Sequence, residues 1–138
     1  MRYVLLLISL LVTTTTYADD TSSIDSIINA YYEVVSGPEG FIYDADRDTN
    51  IHADGALITK AFPDGRFQRH DLSVEQGMIS VPYDQAFFES EVDRRIDRYG
   101  NIAHVWSEFE MRTSLESEPY SGGFNSICLL YTSPSPRD

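Results

Sequence analysis

The stretch FFESEVDRRIDRYGNIAHVWSEFEM, residues 87–111, decides the fold because apolar residues alternate with polar ones on both sides of a turn. Gly100 and Asn101 suit a two-residue hairpin loop, since both tolerate the positive φ that primed turns use. Tyr99 then pairs with Ile102, and this register decides which side chains share a face. One face of the predicted hairpin carries four apolar residues: Val92, Ile96, Val105 and Phe109. The other face is mostly acidic, so we predict a sheet with one buried and one solvated face.

This register contains two anomalies. Arg94 lies opposite Ser107 on the apolar face, where a cation needs a partner or a cavity. Either the Arg94 side chain reaches the rim or pairs with a helix carboxylate, or it lines a pocket and binds an anion or a carbonyl. On the outer face Glu91 opposes Glu110, with a second acidic pair beside it, and such like charges repel one another. We interpret that face as acidic and solvated.

The N-terminal residues 1–18, MRYVLLLISLLVTTTTYA, have the features of a signal peptide. Arg2 supplies the positive start, an apolar run follows, and Thr16 and Ala18 are small residues at the −3 and −1 positions before a cleavage site. The apolar run is too short to span a bilayer. We therefore predict export, to the periplasm or the medium, with cleavage after Ala18 and no stable membrane association afterwards.

The charge balance excludes some partners. Twenty-two acidic residues against ten basic ones give a formal net charge of −12. Such a chain is a poor ligand for nucleic acid, whose binding depends on neutralising phosphates, and for anionic lipid surfaces. The single cysteine, Cys128, has no partner for an internal disulfide.

Local patterns predict the remaining elements. Residues 21–36 have the apolar spacing of a helix, capped by Ser22 or Ser23. A short helix is predicted to end near His52, and a second helix over residues 73–78 to begin with a Ser73–Gln76 capping box. Strands are predicted over residues 56–62 and 123–127.

Two motifs suggest chemistry without completing it. Residues 44–50 begin like a calcium-binding loop, but that loop needs Gly and Glu where Thr49 and Gly55 stand. His70 and Asp71 are adjacent, and we interpret them as a local hydrogen-bonding pair rather than an acid–base pair. We predict no metal site and no cofactor.

The order of motifs resembles the nuclear transport factor 2-like superfamily, in particular its SnoaL-like and ketosteroid-isomerase-like members. The resemblance covers about residues 24–127, including GGFNSI at residues 122–127, and is most specific in GNIAHVWS, residues 100–107, and GFNSI, residues 123–127. It implies an α+β cone, in which a strongly curved antiparallel sheet wraps around helices and a pocket opens at one end. Five residues are the expected lining of that pocket: Tyr31, Tyr32, Arg94, Ser107 and Phe109.

The C-terminal residues 128–138, CLLYTSPSPRD, depart from the family pattern of a turn and a last aromatic strand. They match the translation of a transposase-type sequencing adapter in one reading frame. We therefore predict residues 19–127 as one incomplete nuclear transport factor 2-like domain and residues 128–138 as an adapter-derived tail.

The resemblance implies a pocket but does not specify a reaction. Our first interpretation is an exported domain that binds a small, partly apolar molecule. One alternative is an isomerase, dehydratase or cyclase, which would need an ionisable group deep in the pocket. Another is a non-catalytic module that forms a homodimer through the sheet face carrying His104 and Trp106.

Overall fold

The computed structural model describes residues 19–130. The predicted signal peptide lies outside this range, and so do residues 131–138 of the predicted tail. Within it the chain is α+β, as predicted, with three helices and two antiparallel sheets. The elements in chain order are α1 (Ile24–Val35), α2 (Ala45–Ile51), β1 (Leu57–Ala61), β2 (Phe67–Asp71), α3 (Leu72–Ile79), β3 (Phe88–Tyr99), β4 (Ile102–Arg112) and β5 (Ser121–Leu130).

Helix α1 begins with a complete capping box. The Ser23 side chain accepts from the backbone N–H of Ser26, and the Ser26 hydroxyl oxygen accepts from the backbone N–H of Ser23. These bonds satisfy backbone donors that no helical carbonyl can reach. The apolar side of α1 packs on the three-stranded sheet, where Ile28 meets Ala103 and Val105 in one buried cluster.

The β3–β4 hairpin has the predicted turn, with Tyr99 opposite Ile102 and Ile96 opposite Val105. Gly100 has a φ of 55°, whereas no residue other than glycine within 19–130 has a positive φ. The positive φ is therefore needed only at the first loop position, as in a type II′ turn. The register prediction is confirmed from Tyr99 back to Asp93.

Beyond Asp93 the predicted register is wrong, because a β-bulge at Val92 inserts one unpaired residue. Phe109 is opposite Glu91 instead of Val92, whose side chain is about half exposed. Glu110 is opposite Ser90, so the predicted repulsion with Glu91 is absent.

The same shift moves Glu89 opposite Met111, not Arg112. Glu89 and Glu91, which the regular register assigned to the solvated face, are therefore brought to the inner face beneath α1.

The smaller elements lie between α1 and β3 in the chain. Strands β1 and β2 form a two-stranded antiparallel sheet through a turn at Gly65, and β2 was not predicted from the sequence. Helix α3 begins one residue before Ser73, with Asp71 as its N-cap and no side-chain cap bond, so the predicted capping box is wrong. Helix α2 ends at Ile51 with His52 as its C-cap, as predicted.

Strand β5 pairs with β4 along its length and continues past the predicted strand to Leu130. Residues 128–130, which we assigned to the adapter-derived tail, pair there with Ile102, Ala103 and His104. The sheet order is β3–β4–β5, so within the described residues β3 and β5 are its edges.

Candidate functional site

A pocket of about 200 Å³ lies between α1, α2, α3, β1 and the segment that leads into β3. We call it the inner pocket. Its apolar walls come from Val35, Ile58, Leu72, Ile79 and Phe87. Its polar and aromatic lining is Tyr31, Tyr43, Asp48, His52, Lys60, Glu75, Tyr83 and Glu89. An apolar cavity on which a few polar groups converge is the usual form of a small-molecule site.

Asp48 and His52 face the inner pocket from successive turns of α2. Asp48 is buried, and its carboxylate accepts a hydrogen bond of 3.0 Å from the Gln76 side chain. His52 Nδ1 lies 2.8 Å from the backbone oxygen of Asp48 and 3.4 Å from its carboxylate. Because a carbonyl oxygen only accepts, Nδ1 carries a proton, and in the neutral ring Nε2 is then a free acceptor.

The tyrosines of the inner pocket are held as neutral phenols. Burial and then the nearby charges of Glu89, Asp48 and Glu75 raise the pKa of Tyr31. Burial and a hydrogen bond with Asp48 raise the pKa of Tyr43. Both shifts have one physical cause, the loss of water around a group that would become an anion beside other anions.

Glu75 is only half satisfied. Its Oε1 pairs with the ammonium group of Lys60, whereas its Oε2 is buried and has no hydrogen-bond partner among the described residues. A buried acceptor without a donor costs roughly 1–3 kcal/mol. Glu75, which lines the inner pocket, therefore carries one acceptor oxygen to which no described residue donates.

Glu89 lines the inner pocket and also an open groove of about 390 Å³ on the other side of α1. Burial raises the pKa of the Glu89 carboxyl, partly offset by the Asn125 amide and the charge of Lys60. Its backbone is fixed, because the Glu89 N–H donates to Ser36 Oγ over 2.9 Å and its carbonyl accepts from the same hydroxyl over 3.0 Å.

A second polar cluster, which we call the α1 network, joins α1 to the sheet. Asn125 donates to the Tyr32 hydroxyl over 3.1 Å, and Tyr32 lies 2.6 Å from the Ser107 hydroxyl. Ser107 donates in turn to Glu91 over 2.5 Å, so the Tyr32 proton points to Ser107. Arg94 ends the chain by pairing with the other oxygen of Glu91.

The five predicted lining residues are divided between these places. Tyr31 lines the inner pocket and Tyr32 the groove. Ser107 is fully buried in the α1 network, and Phe109 packs against the core cluster. Arg94 also donates to Asp25 of α1 over 2.7 Å, which is the helix-carboxylate alternative of the sequence analysis.

His104 and Trp106 lie on the outer face of the sheet, as the register predicted. Their rings meet edge to face at 5.0 Å, and His104 Nε2 lies 2.8 Å from Ser126 Oγ. Trp106 is 42% exposed. The homodimer through this face stays a prediction.

Sequence reasoning missed the three acidic residues and the histidine of the inner pocket: Asp48, Glu75, Glu89 and His52. Asp48 and His52 had a usable signal, since their spacing places both on one side of a short helix. Glu89 had no such sequence signal, because in a regular strand its side chain would face outward and only the bulge turns it inward. Glu75 lies on α3, whose weakly amphipathic sequence does not show which side faces the protein.

The described residues contain no group of three or more His, Cys, Asp and Glu side chains that could hold a metal ion. In the part of the chain that the structure describes, no helix is long and apolar enough to cross a bilayer. Comparisons with protein-family models, curated proteins and solved structures return no match to this chain.

Proposed function

We propose that the chain is an exported domain that binds a small, partly apolar molecule in the inner pocket. The single observation that carries this proposal is the pocket itself, a half-enclosed cavity of about 200 Å³ with apolar walls and converging polar groups. Its volume fits a molecule of about one ring.

We propose further that the fold is a cone of the nuclear transport factor 2-like type. Two features support this. The segment RDTNIHADGAL, residues 47–57, contributes Asp48 and His52 to the inner pocket. The GGFNSI segment forms part of β5, from which Asn125 reaches the α1 network.

The acid–base alternative gains support from the same pocket. It required an ionisable group deep inside, and Glu89, with its raised pKa, lies between the pocket and the groove. His52 can present Nε2 as a base, with Nδ1 held by the Asp48 carbonyl. An enzyme of this kind would act on a proton next to a polarised group of the ligand.

The proposal is tested by titrating the purified protein with benzyl alcohol, a neutral one-ring probe, while amide shifts are followed by NMR. We expect saturable shifts at Tyr31, Ile58 and Leu72, with a Kd of about 1 mM, a typical affinity for so small a ligand. Ile79→Trp fills the pocket and should weaken binding at least about tenfold.

Met78→Trp is the matched control, because Met78 is the preceding residue of α3, is 51% exposed and does not line the pocket. It should bind like the parent chain. Circular dichroism checks that both variants are folded. Equal affinity in Ile79→Trp and the parent, or shifts confined to the outer face of the sheet, would overturn the proposal.

A further inference from the structure

Glu75 Oε2 defines what the inner pocket lacks. The atom is buried, its partner oxygen is occupied by Lys60, and no donor among residues 19–130 reaches it. Glu75 lines the inner pocket, and a turn of its carboxylate that exposes Oε2 to an N–H or O–H group of a ligand removes the cost of an unsatisfied buried oxygen. The preferred ligand is therefore a hydrogen-bond donor at one end.

The charges around that oxygen select among donors. Three carboxyl side chains line the inner pocket, from Asp48, Glu75 and Glu89, against one lysine and one histidine. The Lys60 side chain is 48% exposed, so water screens its charge, whereas those of Asp48 and Glu75 are 6% and 14% exposed. The negative groups are thus the less screened ones, and a cation is favoured over a neutral donor.

The aromatic walls of the inner pocket indicate what the rest of the ligand should be. Tyr31, Tyr83 and Phe87 offer aromatic surface, and aromatic faces attract an ammonium group while packing well against an apolar body. An anionic ligand would be placed beside the carboxylates of Asp48 and Glu75 and is disfavoured.

We propose that the inner pocket selects a primary ammonium ion carried on a compact apolar body, with Glu75 Oε2 accepting a hydrogen bond from the ammonium group. This inference rests on the proposed function and names its ligand class. It assigns Glu75 a recognition role, with Lys60 holding the carboxylate in place.

The test compares four probes of one ring size at neutral pH: benzylamine, benzyl alcohol, toluene and benzoate. Binding is measured by NMR titration of the same amide signals. We expect benzylamine to bind about tenfold more tightly than benzyl alcohol, toluene to bind more weakly, and benzoate not to saturate the signals. Glu75→Gln should lose the preference for the amine while keeping its affinity for benzyl alcohol within about threefold.

Glu116→Gln, in an exposed loop, removes the same charge far from the pocket and should keep the preference. The inference is overturned, with the proposed function intact, if benzylamine and benzyl alcohol bind equally. It is also overturned if Glu75→Gln retains the amine preference or Glu116→Gln loses it. Absence of binding by all four probes would instead overturn the proposed function, and the inference with it.

Discussion

The α1 network and the inner pocket lie on different sides of the same helix, and their polar groups are satisfied to different degrees. In the network every hydroxyl both donates and accepts, and Glu91 has partners on both oxygens. In the pocket one oxygen of Glu75 has no partner in the described chain. A complete network fixes one arrangement of helix and sheet, whereas an incomplete one leaves binding capacity for another molecule.

The two adjacent tyrosines of α1 have different surroundings for the same reason. Tyr31 and Tyr32 meet edge to face at 5.2 Å, yet they point to different regions. Tyr32 is fixed by Ser107 and Asn125, while Tyr31 presents its ring to the pocket. We therefore expect changes in the network to affect stability, and changes in the pocket to affect binding.

The largest effect is expected for Arg94→Ala. This change leaves the partly buried Glu91 without its cation, and breaking such a pair costs about 3 kcal/mol. The free energy of unfolding from urea titration measures it. The neighbouring Arg95→Ala is the control, since among residues 19–130 Arg95 pairs only with Asp97, on the exposed face, and its loss should change little.

The affinity of Arg94→Ala for benzyl alcohol tests the same division between network and pocket. Arg94→Ala should leave the affinity for benzyl alcohol unchanged at temperatures where the variant is folded. If Arg94 instead lines the ligand site, binding falls while stability stays close to that of the parent. That result would contradict the division between network and pocket.

A smaller effect is expected for Ser107→Ala. The hydroxyl links Tyr32 to Glu91 in a fully buried position, so removing it strands two polar groups and costs about 2 kcal/mol. Ser126→Ala is the matched change on the outer face of the sheet, where water replaces the bond to His104. Equal losses of unfolding free energy in the two variants would show that the network is not specially stabilising.

The smallest effect is expected for Glu89→Gln and depends on pH. Burial raises the folded-state pKa of Glu89 above its ordinary value, so folding favours the protonated form. Stability attributable to this group is therefore present at acidic pH and declines as pH rises from the ordinary pKa through the folded pKa.

Glu89→Gln lacks that decline. Its melting temperature should match the parent at acidic pH and exceed it at neutral pH. Glu118→Gln, in an exposed loop, corrects for the loss of one negative charge. A neutral-pH difference no larger than that control would mean that Glu89 is stabilised as the anion.

The sequence was sufficient for elements whose pattern is local. Helix α1 has a capping serine and an apolar spacing, and the Gly100 turn sets the register of the nearest residues, so both were predicted. Strand β2 was missed because its residues are mostly exposed and show no alternation that burial would impose. The inner pocket was missed because its lining comes from six separate segments, which only tertiary packing brings together.

The sequence contained a signal for the bulge. In a register without a bulge, that signal took the form of two separate anomalies. Arg94 was a cation without a partner on the inner face, and Glu91 was an acid facing an acid on the outer face. One inserted residue between them places Glu91 on the inner face beside Arg94. A bulge reverses the face on which every residue beyond it lies. A cation predicted on the apolar face and an acid predicted against an acid, three residues apart, are therefore the pattern that an unrecognised bulge produces.

This geometry makes Val92 the most dispensable residue of its strand. Glu91 and Asp93 already face neighbouring positions of β4, so an in-frame deletion of the Val92 codon would close the ladder without turning any side chain over. Deletion of the Ser90 codon would turn Glu89 to the solvent side and remove a carboxyl group from the pocket. Selection would therefore tolerate loss of the Val92 codon and oppose loss of the Ser90 codon, two codons away.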